Sequence, residues 1–127
     1  MISGYDMFRC DRPTGNVGGG VLLYVRSELK PSEYVPLARF PEHIWCTIRD
    51  GKDQQLAIGV CYRSDNANIF VNGSCQELMN LLNEVGRRHM LLLGDFNFGG
   101  IDWNTGAGPR TSRGDCQMFI DCLEDNF

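Results

Sequence analysis

Asp95 and Asn97 stand two residues apart, directly after the apolar run Met90-Leu91-Leu92-Leu93 and a single glycine, Gly94. A carboxylate accepts protons, and a carboxamide donates to an oxygen, so the pair suits the handling of a water molecule or a phosphate. If strand geometry persists as far as Asn97, both side chains point the same way. Asp95 and Asn97 also have a plainer role open to them, closing a turn after the strand. Tyr62 ends a second apolar stretch, Gln55–Tyr62, just before the polar loop Ser64-Asp65-Asn66-Ala67-Asn68. A phenol at a strand end either hydrogen-bonds a phosphate oxygen or packs at an interface. Arg12 and Arg63 neighbour these loops and are the first candidates for contacts to a phosphate backbone. Arg9, Arg87, Arg88, Arg110 and Arg113 are further candidates, and solvated surface charge is the plainer role for most of the seven.

The elements that must position these groups follow from the hydrophobic pattern. Met90–Leu93, bounded by Arg87-Arg88-His89 and Gly94, reads as a fully buried strand. Val21–Val25 reads as another. Residues 44–48 and 56–62 form a predicted antiparallel hairpin around the turn Asp50-Gly51-Lys52-Asp53. Met7–Cys10 is a candidate strand, and Pro31 and Pro36 make residues 27–39 irregular or edge-like. Ser74-x-x-Glu77 is a capping-box pattern; Cys75, Leu78, Met79, Leu82 and Val85 follow at helical spacing, and Gly86 suits the end. A helix over 74–85 leading into a strand over 90–94 is a crossover, which predicts an α/β layer. A last helix is predicted over 112–125. In such folds ligands bind beyond the carboxyl ends of the strands, where Tyr62 and Asp95 fall.

Composition narrows the function classes. The chain has 127 residues and a formal net charge of −4, which opposes a generally basic, DNA-coating surface but leaves room for a local one. No apolar run approaches the roughly 18–20 residues of a membrane span, and the first residues lack a signal peptide's basic start and apolar core. The six cysteines include no C-x-x-C, so zinc is disfavoured and all six are expected as reduced thiols. Gly18-Gly19-Gly20 precedes a strand with no Gly-Lys-Ser/Thr after it, so it is not a phosphate loop. Close backbone packing into Val21–Val25 explains it better. His43 and His89 sit at strand starts and read as packing or solvated residues.

Taken in order, Gly4-Tyr5-x-x-Phe8-Arg9-x-Asp11-Arg12, Gly18-Gly19-Gly20-Val21, Cys61-Tyr62-Arg63 and Leu93-Gly94-Asp95-Phe96-Asn97 with Ile101-Asp102-Trp103 resemble the endonuclease/exonuclease/phosphatase superfamily. Within it, the chain looks like the endonuclease domain at the front of non-LTR (LINE, jockey-like) retrotransposon polyproteins. The resemblance covers nearly the whole chain. It implies a metal-dependent phosphodiesterase on a four-layered α/β sandwich that nicks DNA with magnesium. It implies that Asp95 positions or activates water, that Asn97 binds the scissile phosphate and that Tyr62 contacts it. A downstream reverse transcriptase in the parent polyprotein and a nuclear site of action follow by analogy. The family's metal-ligand Glu in a Glu-Thr-Trp-like segment, the Asn of its first strand and its Ser-Asp-His segment have no counterpart here. Ser64-Asp65 stands where prolines are common. The chain is therefore expected to be a partial domain over 1–127, the central part of the sandwich truncated at both ends, and inactive alone. A phosphoesterase of the same superfamily with another substrate, and a non-catalytic binding or structural module, are the competing readings.

Overall fold

A computed structural model describes residues 1–12, 19–63, 71–105 and 115–127. The chain is mixed α/β, with two sheets and two helices among these residues. Strands β1 (Tyr5–Cys10) and β2 (Val21–Arg26) pair antiparallel, Tyr5 opposite Arg26 and Cys10 opposite Val21. The main sheet has the order β3-β4-β5-β6, with β3 at Ser32–Tyr34, β4 at His43–Arg49, β5 at Gln55–Tyr62 and β6 at Met90–Asp95. All its neighbours are antiparallel except β5 and β6, which run parallel as a crossover through a helix requires.

The turn between β4 and β5 forms for a local reason. The Asp50 carboxylate accepts from the backbone N–H groups of Lys52 and Gln54 at 2.8 and 2.9 Å, and Asp53 takes a left-handed φ of 60°. These two donors hold the Asp50 carboxyl below its ordinary pKa. Helix α1 (Val71–Val85) begins three residues before the predicted start, so Ser74 lies inside its first turn and is not its cap. Helix α2 spans Asp115–Asn126; the predicted start at 112 lies outside the described residues.

The core lies between one face of the main sheet and the helices. Trp45, Ala57 and Cys61 meet Cys75, Leu78, Leu81, Leu82 and Val85 of α1 and Phe119, Ile120 and Cys122 of α2. Truncating any of the fully buried leucines to alanine would cost about 2–5 kcal/mol. Gly59 is opposite Trp45 in the register, and a Cβ there would lie 2.3 Å from the indole, so only glycine admits the ring. The β1–β2 hairpin lies against β4 and β5 on the other face.

That hairpin leaves the outer face of β6 largely uncovered, which corrects the expectation of a fully buried strand. Met90 and Leu92 pack toward the core, but Leu91 and Leu93 remain 47% and 45% exposed. Among the described residues β6 is an edge strand covered on one face. Val21–Val25 is likewise only partly buried: Val25 is enclosed, whereas Leu22 faces out.

Candidate functional site

The parallel register brings Tyr62 and Asp95 together as the last residue pair of β5 and β6. Partners across parallel strands project to the same face, so phenol and carboxylate share one rim at the carboxyl ends. Gly94 makes this approach possible. Its φ is 155°, and a Cβ there would stand 2.1 Å from the Cys61 carbonyl oxygen.

Strand geometry does not persist to Asn97, contrary to one expectation above. Asn97 has a left-handed φ of 54°, and its N–H donates to Asp95 Oδ1 at 3.1 Å. Asp95 therefore does close the turn, with one carboxylate oxygen. The Asn97 side-chain nitrogen donates to the Arg63 carbonyl, which fixes the amide's orientation and leaves one of its two hydrogens for another acceptor.

Arg63, the other first candidate for contact to a phosphate backbone, is enclosed at this rim. It is only 8% exposed, and its guanidinium donates to the carbonyls of Phe96 and Asn97 at 3.2 and 3.4 Å. The guanidinium carbon lies 4.2 Å from the centre of the Phe98 ring. The Arg63 N–H donates to the Asp95 carbonyl at 2.9 Å. Arg63 is thus a strut under the Asp95–Phe98 segment, and DNA contact by it would mean leaving those partners. The same segment is held from the helix side by Phe119, whose ring stacks on Phe98 at 4.6 Å and meets Phe96 at 5.1 Å. Trp103, largely exposed, approaches Phe119 edge-on.

Arg12 does reach the rim. Its guanidinium carbon is 5.9 Å from the centre of the Tyr62 ring. It arrives there paired: Nε donates to Glu42 Oε1 at 2.9 Å and Nη2 to Oε2 at 3.4 Å. Hydrogen bonding and charge from Glu42, and then Tyr62, hold the guanidinium above its ordinary pKa. Glu42 is the residue that sequence reasoning missed. It is buried, and nothing in Pro41-Glu42-His43 marks it off from a solvated glutamate before a strand.

The histidines behave as expected of packing and solvated residues. His43 Nδ1 accepts from the Trp45 indole at 3.0 Å, and burial lowers its pKa. His89 lies largely exposed, 3.7 Å from Asp50. The five described cysteines, Cys10, Cys46, Cys61, Cys75 and Cys122, form no disulfide with one another; the side chain of Cys116 lies outside the described residues.

Among the described residues no three of His, Cys, Asp and Glu gather to hold a metal ion. Asp95 offers one carboxylate, and Glu42 is committed to Arg12 and to the Gly20 N–H. These residues alone do not make the oxygen cage that magnesium takes. No described helix is long and apolar enough to cross a membrane. Comparison with protein-family models, with curated proteins and with solved structures finds no match.

Proposed function

We propose that this chain carries the phosphate-handling half of a DNA-nicking phosphodiesterase of the non-LTR retrotransposon type. The observation that carries the reading is the pairing of Tyr62 with Asp95 at the carboxyl ends of two parallel strands, with Asn97 locked one turn beyond. Asp95 faces solvent with its second oxygen and is the base that orients a water and takes its proton as the water oxygen attacks phosphorus. The Tyr62 hydroxyl and the remaining Asn97 amide hydrogen donate to the phosphate oxygens where negative charge develops. The bond from phosphorus to the 3′ oxygen of the broken strand breaks as the water oxygen's bond forms, and the departing oxygen takes a proton from solvent. Magnesium, which the resemblance implies, would require ligands beyond those described, and no step is routed through it. The four-layered sandwich belongs to the same proposal: in it, hairpin, main sheet and helix pair would be three of the layers. Nuclear DNA as substrate and a linked reverse transcriptase follow from the same family reading.

The test is supercoiled-plasmid nicking with magnesium. Residues 1–127 are compared with a chimera in which they replace the matching stretch of an active retrotransposon endonuclease. The chimera keeps its host's Glu-Thr-Trp-like and Ser-Asp-His segments. It is expected to nick, and Asp95→Asn to abolish nicking while DNA binding persists. Asn97→Ala in it is expected to slow turnover by about 10²–10³-fold, as for loss of one oxyanion donor. Residues 1–127 alone are expected not to nick, because groups that act as one unit lose most of their effect when a member is missing. A folded chimera whose turnover ignores Asp95→Asn refutes the reading.

A further inference from the structure

Glu42 is an acidic side chain taken out of water at a strand-end rim, an arrangement that is unfavourable unless its lone pairs are answered. Its side chain is 7% exposed, against 28% for Arg12. Oε1 accepts from Arg12 Nε and from the Gly20 N–H at 2.8 Å; Oε2 accepts from Arg12 Nη2. Its own carbonyl accepts from the Tyr62 N–H at 2.9 Å. One residue thus pins the chain after β1, the entry to β2 and the end of β5.

The geometry of Arg12 is specific. Glu42 engages the Nε/Nη2 side of the guanidinium and leaves Nη1 clear of that pair. The plane lies against backbone: a Cβ on Gly19 would fall 2.3 Å from Arg12 Cζ and Nε, and Gly19 has a φ of +86°. The glycines before β2 therefore do two things. Gly19 makes room for a flat arginine, and Gly20 gives its N–H to the same carboxylate. Neither is needed to begin a strand.

We propose that Glu42 is the positioning residue of this rim: it holds Arg12 side-on, so that the edge of the guanidinium turned away from Glu42, beside Tyr62, anchors a DNA backbone phosphate. This rests on the phosphodiester reading above for the nature of the ligand. The alternative role for Glu42 is charge compensation, and the two predict opposite signs. If Glu42 merely cancels Arg12, its neutral variant binds DNA more tightly. If Glu42 aims Arg12, its neutral variant binds less tightly although the protein has become more positive.

The experiment is binding of a short DNA duplex across a salt series, with a thermal melt for every variant. Arg12→Gln is expected to weaken binding several-fold and to reduce the slope of log K against log salt by about 0.9, the share of one phosphate contact. Glu42→Gln is expected to do the same, Glu42→Asp to recover part of the loss, and the double variant to be no weaker than either single one. Arg12→Lys keeps the charge but lacks the side-on fork, so it is expected to resemble Arg12→Gln. Wild-type or tighter binding by folded Glu42→Gln overturns the proposal. So does wild-type binding by Arg12→Lys, which decides the matter where Glu42→Gln does not fold. Absence of duplex binding by the unaltered chain also overturns it. The outcome is separable from the nicking test: binding that depends on Arg12 and Glu42 stands even where Asp95 proves irrelevant to cleavage.

Discussion

Gly94→Ala is the most direct perturbation of the strand pair that carries the site. The added methyl would stand 2.1 Å from the Cys61 carbonyl oxygen, 3.0 Å from its carbonyl carbon and 3.1 Å from its nitrogen. All three are backbone atoms of the neighbouring strand, so no side chain can swing aside. β5 cannot withdraw cheaply either, because the same stretch of sheet is tied by Arg63 N–H to the Asp95 carbonyl at 2.9 Å. Overpacking of this kind costs about 1–3 kcal/mol, occasionally more. A sparsely populated backbone conformation for a non-glycine residue adds about 1–3 kcal/mol. A total near 3 kcal/mol is a modest reading of the two together. Unfolding entropy of about 2.1 cal/mol/K per residue gives a chain of this size roughly 0.27 kcal/mol/K, so Tm should fall by about 11 °C. The assay is thermal unfolding followed by far-UV circular dichroism. Gly99→Ala is the control, since a Cβ there meets nothing within 4 Å. The variant should also lose Asp95-dependent chemistry in the chimera, because the shift moves the carboxylate away from Tyr62. A Tm within about 2 °C of the parent would refute both the close contact and the argument that Gly94 sets the rim.

Two further outcomes follow from buried titrating groups. The lowered pKa of His43 means that the folded chain refuses a proton the unfolded chain accepts below about 6.5. Its contribution to stability is therefore complete above that pH and is lost as pH falls toward the folded value. Tm measured against pH should drop on the acid side, and His43→Gln should flatten that part of the curve; an unchanged slope would count against the burial. The thiols should divide by access. Burial pushes Cys61 up to about 12 and raises Cys46 and Cys122. In native protein at mildly alkaline pH, Cys10 should react with a thiol reagent well before these three, and denaturation without reductant should expose six reactive groups. Fast native modification of Cys61, or fewer than six thiols after denaturation, would contradict this.

What could be read from the sequence divides along a physical line. Strands β2, β4, β5 and β6 were legible because short apolar runs between turn residues have few other uses, and their ends fell within about a residue of the prediction. The adjacency of Tyr62 and Asp95 was legible for the same reason: each ends such a run. Which face each strand would cover was not legible. Leu91 and Leu93 look like core in sequence, and only the reach of the hairpin leaves them exposed. The three-residue strand β3 between Pro31 and Pro36 owes its existence to an edge offered by β4, not to its own residues. Charged residues were the hardest. Arg63 and Glu42 have the composition of surface, and each is buried by partners about 30 positions away. A charge is enclosed when the fold supplies enough donors or acceptors, and that supply is a tertiary fact with no local trace. The one sequence signal that bore on it was the glycine run. Three glycines before a strand are unfavourable for the strand itself. At Gly19 the cost is explained by a guanidinium lying on it, and at Gly20 by the Cys10 carbonyl oxygen, 2.8 Å from where a Cβ would stand. An unexplained glycine in a sequence thus points to something that must come close to backbone, and here that something is the Arg12 guanidinium at Gly19 and the end of β1 at Gly20.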